Sequence, residues 1–157
     1  MKLRLYLDTT IPSYLVARRS RDLRLAADQE STQQWWESER FDYELFISQP
    51  VVLEVTRGDA NFAAARLAQL RGLPLLPRTA DASALITHLL ASGIVPAVAA
   101  DDAAHIGLAA AHGMDFLLTW NCRHINNHHI RARLERACHA FGLNCPDICT
   151  PAELMEF

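Results

Sequence analysis

The chain has 157 residues, half of them hydrophobic and 21% charged, with a formal net charge of −3. That length suits one domain, 1–157, with a sizeable core, and the charge balance excludes a strongly basic nucleic-acid coat while leaving room for a local basic stripe. No stretch approaches the ~20 apolar residues of a membrane span, the short apolar run at the start contains Arg4 and makes no signal peptide, and four cysteines confined to the last quarter read as thiols of a reducing cytoplasm.

Taken in order, the elements alternate. Residues 3–7 read as a short apolar strand, 11–17 as a short helix and 22–39 as a longer one in which Trp35 and Trp36 are packing residues. "ELFIS" is a second strand, and "QPVVLEVTRG" starts a helix with Pro50 in its first turn and Gly58 at its end. A helix over 60–71 leads to "LPLLP", a third strand at a sheet edge, where prolines are tolerated. A helix over 81–91, a loop "SGIVPAVAA" and a helix "DDAAHIGLAAAHG" follow, the last closed by Gly113. "FLLTW" is a strand, "HHIRARLERACHAFG" a helix and "DICT" a last short strand. Strands alternating with helices predict an α/β chain with a central, mostly parallel sheet of about five strands between helical layers.

In such sheets ligands bind beyond the carboxyl ends of the strands, near the point where strand order reverses. Asp8 ends the first strand. Glu54 lies early in the helix after the second, Asp101 and Asp102 open the helix that runs down to "FLLTW", and Asn121 follows that strand. All are expected at one rim. Carboxylates brought together raise each other's pKa, and oxygen donors of this kind suit a hard cation, Mg²⁺ or Mn²⁺. Such an ion activates water and neutralises charge on a phosphodiester, so the pattern points to phosphoryl-transfer hydrolysis. Each acid also has a plainer reading: Asp8 as a helix cap, Asp101 and Asp102 as first-turn acids complementing the helix dipole. Glu54 sits among Val51, Val52, Leu53 and Val55, where a merely solvated acid is less natural.

Three stretches in sequence, "YLDTTIPSYL", "ISQPVVLEVTRG" and "DDAAHIGLAAAHGMDFLLTWNCRHI", resemble the PIN-domain family, and within it the VapC-type toxins of toxin–antitoxin systems. The resemblance covers nearly the whole chain. It implies a three-layer α/β/α sandwich and an acidic Mg²⁺- or Mn²⁺-dependent endoribonuclease site. Asp8, Glu54 and Asp102 then match the metal-holding acids, with Thr9 and Ser48 as supporting hydroxyls and Asp101 as a neighbour. Where many members carry a further Asp this chain has Asn121, a neutral ligand through its carbonyl oxygen or a residue orienting water. Thr119 supports the site through its hydroxyl, and the side-chain cap of the first helix passes to Thr10. An RNA substrate, a cognate antitoxin and a homodimer are the implied partners, with no membrane.

Other polar residues carry weaker signals. His105, one turn after Asp102, either hydrogen-bonds a ligand carboxylate or packs on the sheet. "NCRHINNHHIR" lacks a complete Cys/His ligand set for a soft metal, and the resemblance implies that this stretch lies beside the active site, with Arg123 and His124 as contacts to RNA phosphate. Arg18, Arg19 and Arg21 follow the strand that carries Asp8 and either form a solvated face or frame a phosphate approach. A catalytically inactive PIN-like module that binds RNA or protein is the alternative, favoured by Asn121. A third reading, a small phosphatase, wants an Asp two residues after Asp8, and Thr10 stands there.

Overall fold

The computed structural model describes residues 1–156. Strands β1 (Leu3–Leu7), β2 (Tyr43–Ser48), β3 (Leu75–Leu76), β4 (Phe116–Leu118) and β5 (Asp147–Cys149) form one sheet in the order β3-β2-β1-β4-β5. Every pairing is parallel, so the mostly parallel sheet expected from the sequence is wholly parallel. The helices are α1 (Thr10–Val16), α2 (Leu23–Ser38), α3 (Gln49–Val55), α4 (Ala60–Gln69), α5 (Ala80–Ala91), α6 (Ala100–Ala111), α7 (Arg131–Ala140) and α8 (Pro151–Met155).

Chain direction explains the layers. From β1 the path steps outward to β2 and β3, then returns past β1 to β4 and β5. Right-handed crossovers place helices of the outward path and those of the return path on opposite faces. Accordingly α1 packs on α2 and α4, whereas α5 packs on α6 and α7. Helix α3 touches both α4 and α6, which joins the two halves at one rim. The result is the three-layer α/β/α sandwich.

Strand β1 is central, and Leu5, Tyr6 and Leu7 have no exposed surface. A parallel strand covered on both faces reads as a continuous apolar run, which is what "LYL" supplies. Trp35 is fully buried and Trp36 nearly so, in the core as their helical spacing suggested.

Two local features differ from expectation. The loop before α6 contains a single 3-10 turn, Ala97–Ala99. After β5, where the sequence reading named no element, the chain forms α8, held by a capping box between Thr150 and Glu153. Glu153 Oε1 accepts from Thr150 N–H at 3.1 Å and from Asn126 Nδ2 at 3.0 Å, tying α8 to the loop after β4. Among the described residues no helix is long and apolar enough to cross a membrane.

Helices α5 and α6 approach closely at Gly107. A Cβ there would overlap Ile86 Cγ1 and press on the carbonyl of Ala82, both on α5. Glycine normally weakens a helix interior by about 1 kcal/mol relative to alanine, yet overpacking a filled core costs about 1–3 kcal/mol. Gly107→Ala is therefore expected to destabilise the protein by about 1–2 kcal/mol, read as a lower urea midpoint. A stabilised variant would mean the two helices separate more easily than their packing suggests.

Candidate active site at the carboxyl edge of the sheet

Asp8, the residue after β1, is 2% exposed. Its Oδ1 accepts from the Thr10 backbone N–H at 3.0 Å and from the Thr10 hydroxyl, and its Oδ2 accepts a short bond from Thr119 Oγ1. Thr119 follows β4, so this last bond crosses from β1 to β4, the pair between which the chain's direction of winding reverses. The side-chain cap expected of Thr10 is not made. Thr9 is the N-cap residue of α1 and uses no side-chain bond, while the Thr10 hydroxyl donates to Asp8 and accepts from Trp120 N–H at 2.8 Å. Support for Asp8 thus comes from Thr10, not from Thr9. Thr9 Oγ1 is buried with no partner among the described residues.

A second set of bonds runs through the interior. Tyr6 alternates with Asp8 along β1 and shares its face of the sheet. Its hydroxyl lies within hydrogen-bonding distance of Ser48 Oγ at the end of β2 and 2.7 Å from His105 Nδ1 on α6. His105 Nε2 in turn donates to Glu54 Oε1 on α3 at 2.6 Å. His105 is 1% exposed, so it neither lies on the surface nor merely packs on the sheet: it holds Glu54.

Asp102 is half-buried on the first turn of α6, with the Asn121 side chain near enough to oppose the upward push of burial on its pKa. Asn121 Oδ1 accepts from the backbone N–H groups of Arg123 at 3.2 Å and His124 at 3.0 Å. The oxygen expected to serve as a carbonyl ligand or to orient water is thus already shared by two backbone donors of its own loop. Two donors on one oxygen make Asn121 a residue that shapes its own loop. Asp101 is turned elsewhere and meets Arg57 at 3.2 Å.

The electrostatics converge on His105. Burial alone would push its pKa down. The bond to Glu54 and the charges of Asp8, Glu54 and Asp102 outweigh that and hold it above the ordinary 6.5. Burial pushes Asp8 above its ordinary 3.8, against the pull of His105, Thr10 and Thr119. Burial likewise raises Asp102, opposed by Asn121, His105 and His124. Tyr6 is raised by burial and stays a neutral phenol.

These donors have the chemistry of a hard-cation site: carboxylate oxygens with excess negative charge and little water. As they stand, no three His, Cys, Asp or Glu side chains among the described residues are grouped closely enough to hold an ion. The set fits an ion bound as Mg²⁺ commonly is, met directly by one or two of these carboxylates and through its retained waters by the third.

The basic residues are less concentrated than their spacing suggested. Arg19 is paired with Glu30 at 2.6 Å, and Arg18 stands over the Phe62 ring at 5.9 Å. Arg21 and Arg123 are exposed, and His124 is near enough to act on Asp102. A cavity of about 730 Å³, lined by Leu3, Tyr43, Phe116, Arg131, Ile148 and Leu154 among others, is not lined by Asp8, Glu54 or Asp102. Sequence reasoning missed Tyr6 and Thr10. The alternation of Tyr6 with Asp8 was the available signal for the first; nothing in the sequence showed the second turning back on Asp8.

Two outcomes follow from this wiring. Tyr6→Phe keeps the ring but strips Ser48 Oγ and His105 Nδ1 of a buried partner. It should lower stability by about 1–3 kcal/mol in chemical denaturation; an unchanged midpoint would show that the hydroxyl bridge contributes nothing. The second concerns pH in protein stripped of divalent ions. Folded His105 keeps its proton above 6.5, where the unfolded chain has released it. Its contribution is therefore present below that value and lost as pH rises through the raised one. Asp8 and Asp102 act in the same sense, because their folded forms hold protons that the unfolded chain has lost above 3.8. The melting temperature should fall between mildly acidic and mildly alkaline buffer, and added Mg²⁺ or Mn²⁺ should reduce the fall. Searched against protein-family models and against curated proteins, the chain matches none.

Proposed function

We propose that this chain is a metal-dependent endoribonuclease of the PIN-like kind, with Asp8, Glu54 and Asp102 as the residues that hold Mg²⁺ or Mn²⁺. One observation carries the reading. Asp8 just past β1, Glu54 on α3 and Asp102 on α6, far apart in sequence, lie around one buried histidine that bonds Glu54 at the carboxyl edge of a parallel sheet. A structural role for any single acid would not require the other two.

When bound, the ion would supply an activated water and neutralise charge on the scissile phosphodiester. The chain's own residues do the positioning. Thr10 and Thr119 fix Asp8 from both of its oxygens. His105 occupies Glu54 Oε1 and so leaves Oε2 for the site. Asn121 and His124 lie near Asp102, and both favour its charged form. In the reaction, water oxygen bonds to phosphorus, one P–O ester bond breaks, and the departing oxygen takes a proton.

The resemblance extends the proposal to a toxin restrained by a cognate antitoxin, acting as a homodimer in a reducing cytoplasm. All four cysteines are free, in keeping with that compartment.

The test is cleavage of structured RNA with Mn²⁺, against EDTA and against Asp8→Asn. Activity should fall by at least about 100-fold in both arms, as expected when an essential ion or its holder is lost. Cleavage indifferent to chelator and to the variant would overturn the metal site. Ion binding without cleavage of any RNA offered would favour the inactive binding module.

A further inference from the structure

Beside the acids lies an aromatic pair that none of the roles above uses. Tyr14 and Trp120 stack with ring centroids 5.5 Å apart and planes 5° from parallel, and both are partly exposed. Tyr14 is one helical turn after Thr10 on α1, so the two share a face of that helix. Trp120 is the second residue after β4, immediately beyond Thr119.

The pair is wired to Asp8. Trp120 N–H donates to the same Thr10 hydroxyl that donates to Asp8 Oδ1. The indole is also locked, since Nε1–H donates to Thr32 Oγ1 at 2.7 Å and that hydroxyl donates to the Asp28 carbonyl at 2.7 Å. Its polar atom is therefore spent inside the protein, and what remains for a ligand is flat π surface on a ring that cannot rotate. Trp35 and Trp36, by contrast, are buried in the core and offer no such face.

From this geometry we infer that Tyr14 and Trp120 form a stacking platform for an unpaired nucleobase next to the acids, so that the site takes single-stranded RNA. The inference rests on the nuclease reading for its substrate but not for its physics. A nucleobase would extend this parallel stack where the pair is partly exposed, with the adjoining phosphate directed toward Asp8 and Asp102. Bases within a duplex already stack on their neighbours and cannot present a face. Because every base has a π face, the platform tolerates sequence at that position.

The experiment uses full-length Asp8→Asn protein, which binds without cutting, and a short fluorescent RNA offered single-stranded, as a duplex, and with one abasic position. Single strand should bind more tightly than duplex. Tyr14→Leu should weaken it by about ten-fold or more, as loss of one stacked base implies, while Tyr14→Phe, which keeps the ring, should stay close to the parent. If Tyr14→Leu melts well below the parent, the abasic probe decides, and weaker binding of it by the unaltered platform supports stacking. Equal affinity of Tyr14→Leu and the parent, equal affinity for duplex and single strand, or no RNA binding at all would overturn the platform. Failure of the nuclease reading looks different: no Mn²⁺-dependent cleavage by the Asp8 protein, with the Tyr14 effect on binding intact.

Discussion

An ionisable group on the central strand of a sheet covered on both faces has almost no water to compensate it. Asp8 occupies that position, and the edge of the molecule is arranged around its need for donors. Thr10 and Thr119 meet the carboxylate directly. Each is then fixed by what it accepts: the Thr10 hydroxyl takes Trp120 N–H, and the Thr119 hydroxyl takes Asn121 N–H at 2.9 Å. Asn121 goes on to receive Arg123 and His124. The loop after β4 therefore hangs, bond by bond, from one carboxylate at the end of β1.

The second set of bonds meets a similar need with a different group. Four residues on four elements, Ser48, Tyr6, His105 and Glu54, are joined through a buried imidazole. Partners of this kind are costly to lose singly, since each loss leaves a buried atom unpaired. The two sets meet electrostatically, because Asp8 and Asp102 both favour charge on His105. Elements from both faces of the sheet are thereby held to a common rim by polar contacts as well as by apolar packing.

How legible this was from sequence depended on the range of the forces involved. Strand β1 was readable because its apolar run is too short for a core helix and long enough for a covered parallel strand. The helices were readable from their spacing and their stops; α2, for example, starts where Asp22 accepts from Leu25 N–H. The gathering of Asp8, Glu54 and Asp102 at one rim followed from topology, since a parallel sheet leaves its acids little choice of side. The side-chain partners did not follow. Whether Asn121 offers its oxygen or its amide depends on loop torsions, and whether Thr9 or Thr10 faces Asp8 depends on one turn of backbone. Arg18 and Arg19 left a solvated face and a phosphate approach both open, because charge spacing does not reveal that Glu30 and Phe62 stand opposite. Helix α8 was overlooked despite the Thr150–Glu153 cap signal, being too short for periodicity to register.

That short helix has mechanical weight out of proportion to its five residues. One oxygen of Glu153 serves two masters, its own cap at Thr150 and the amide of Asn126 in the loop that carries Asn121. Arg131, at the start of α7, donates both to Asn126 and to the Ile148 carbonyl of β5 at 2.9 Å. The far end of the loop is thus moored to the last strand and the last helix, as its near end is moored to Asp8. The placing of the acids at one rim therefore depends in part on a helix cap far from them in sequence, because the carboxylate that closes α8 also anchors the loop beside Asp102.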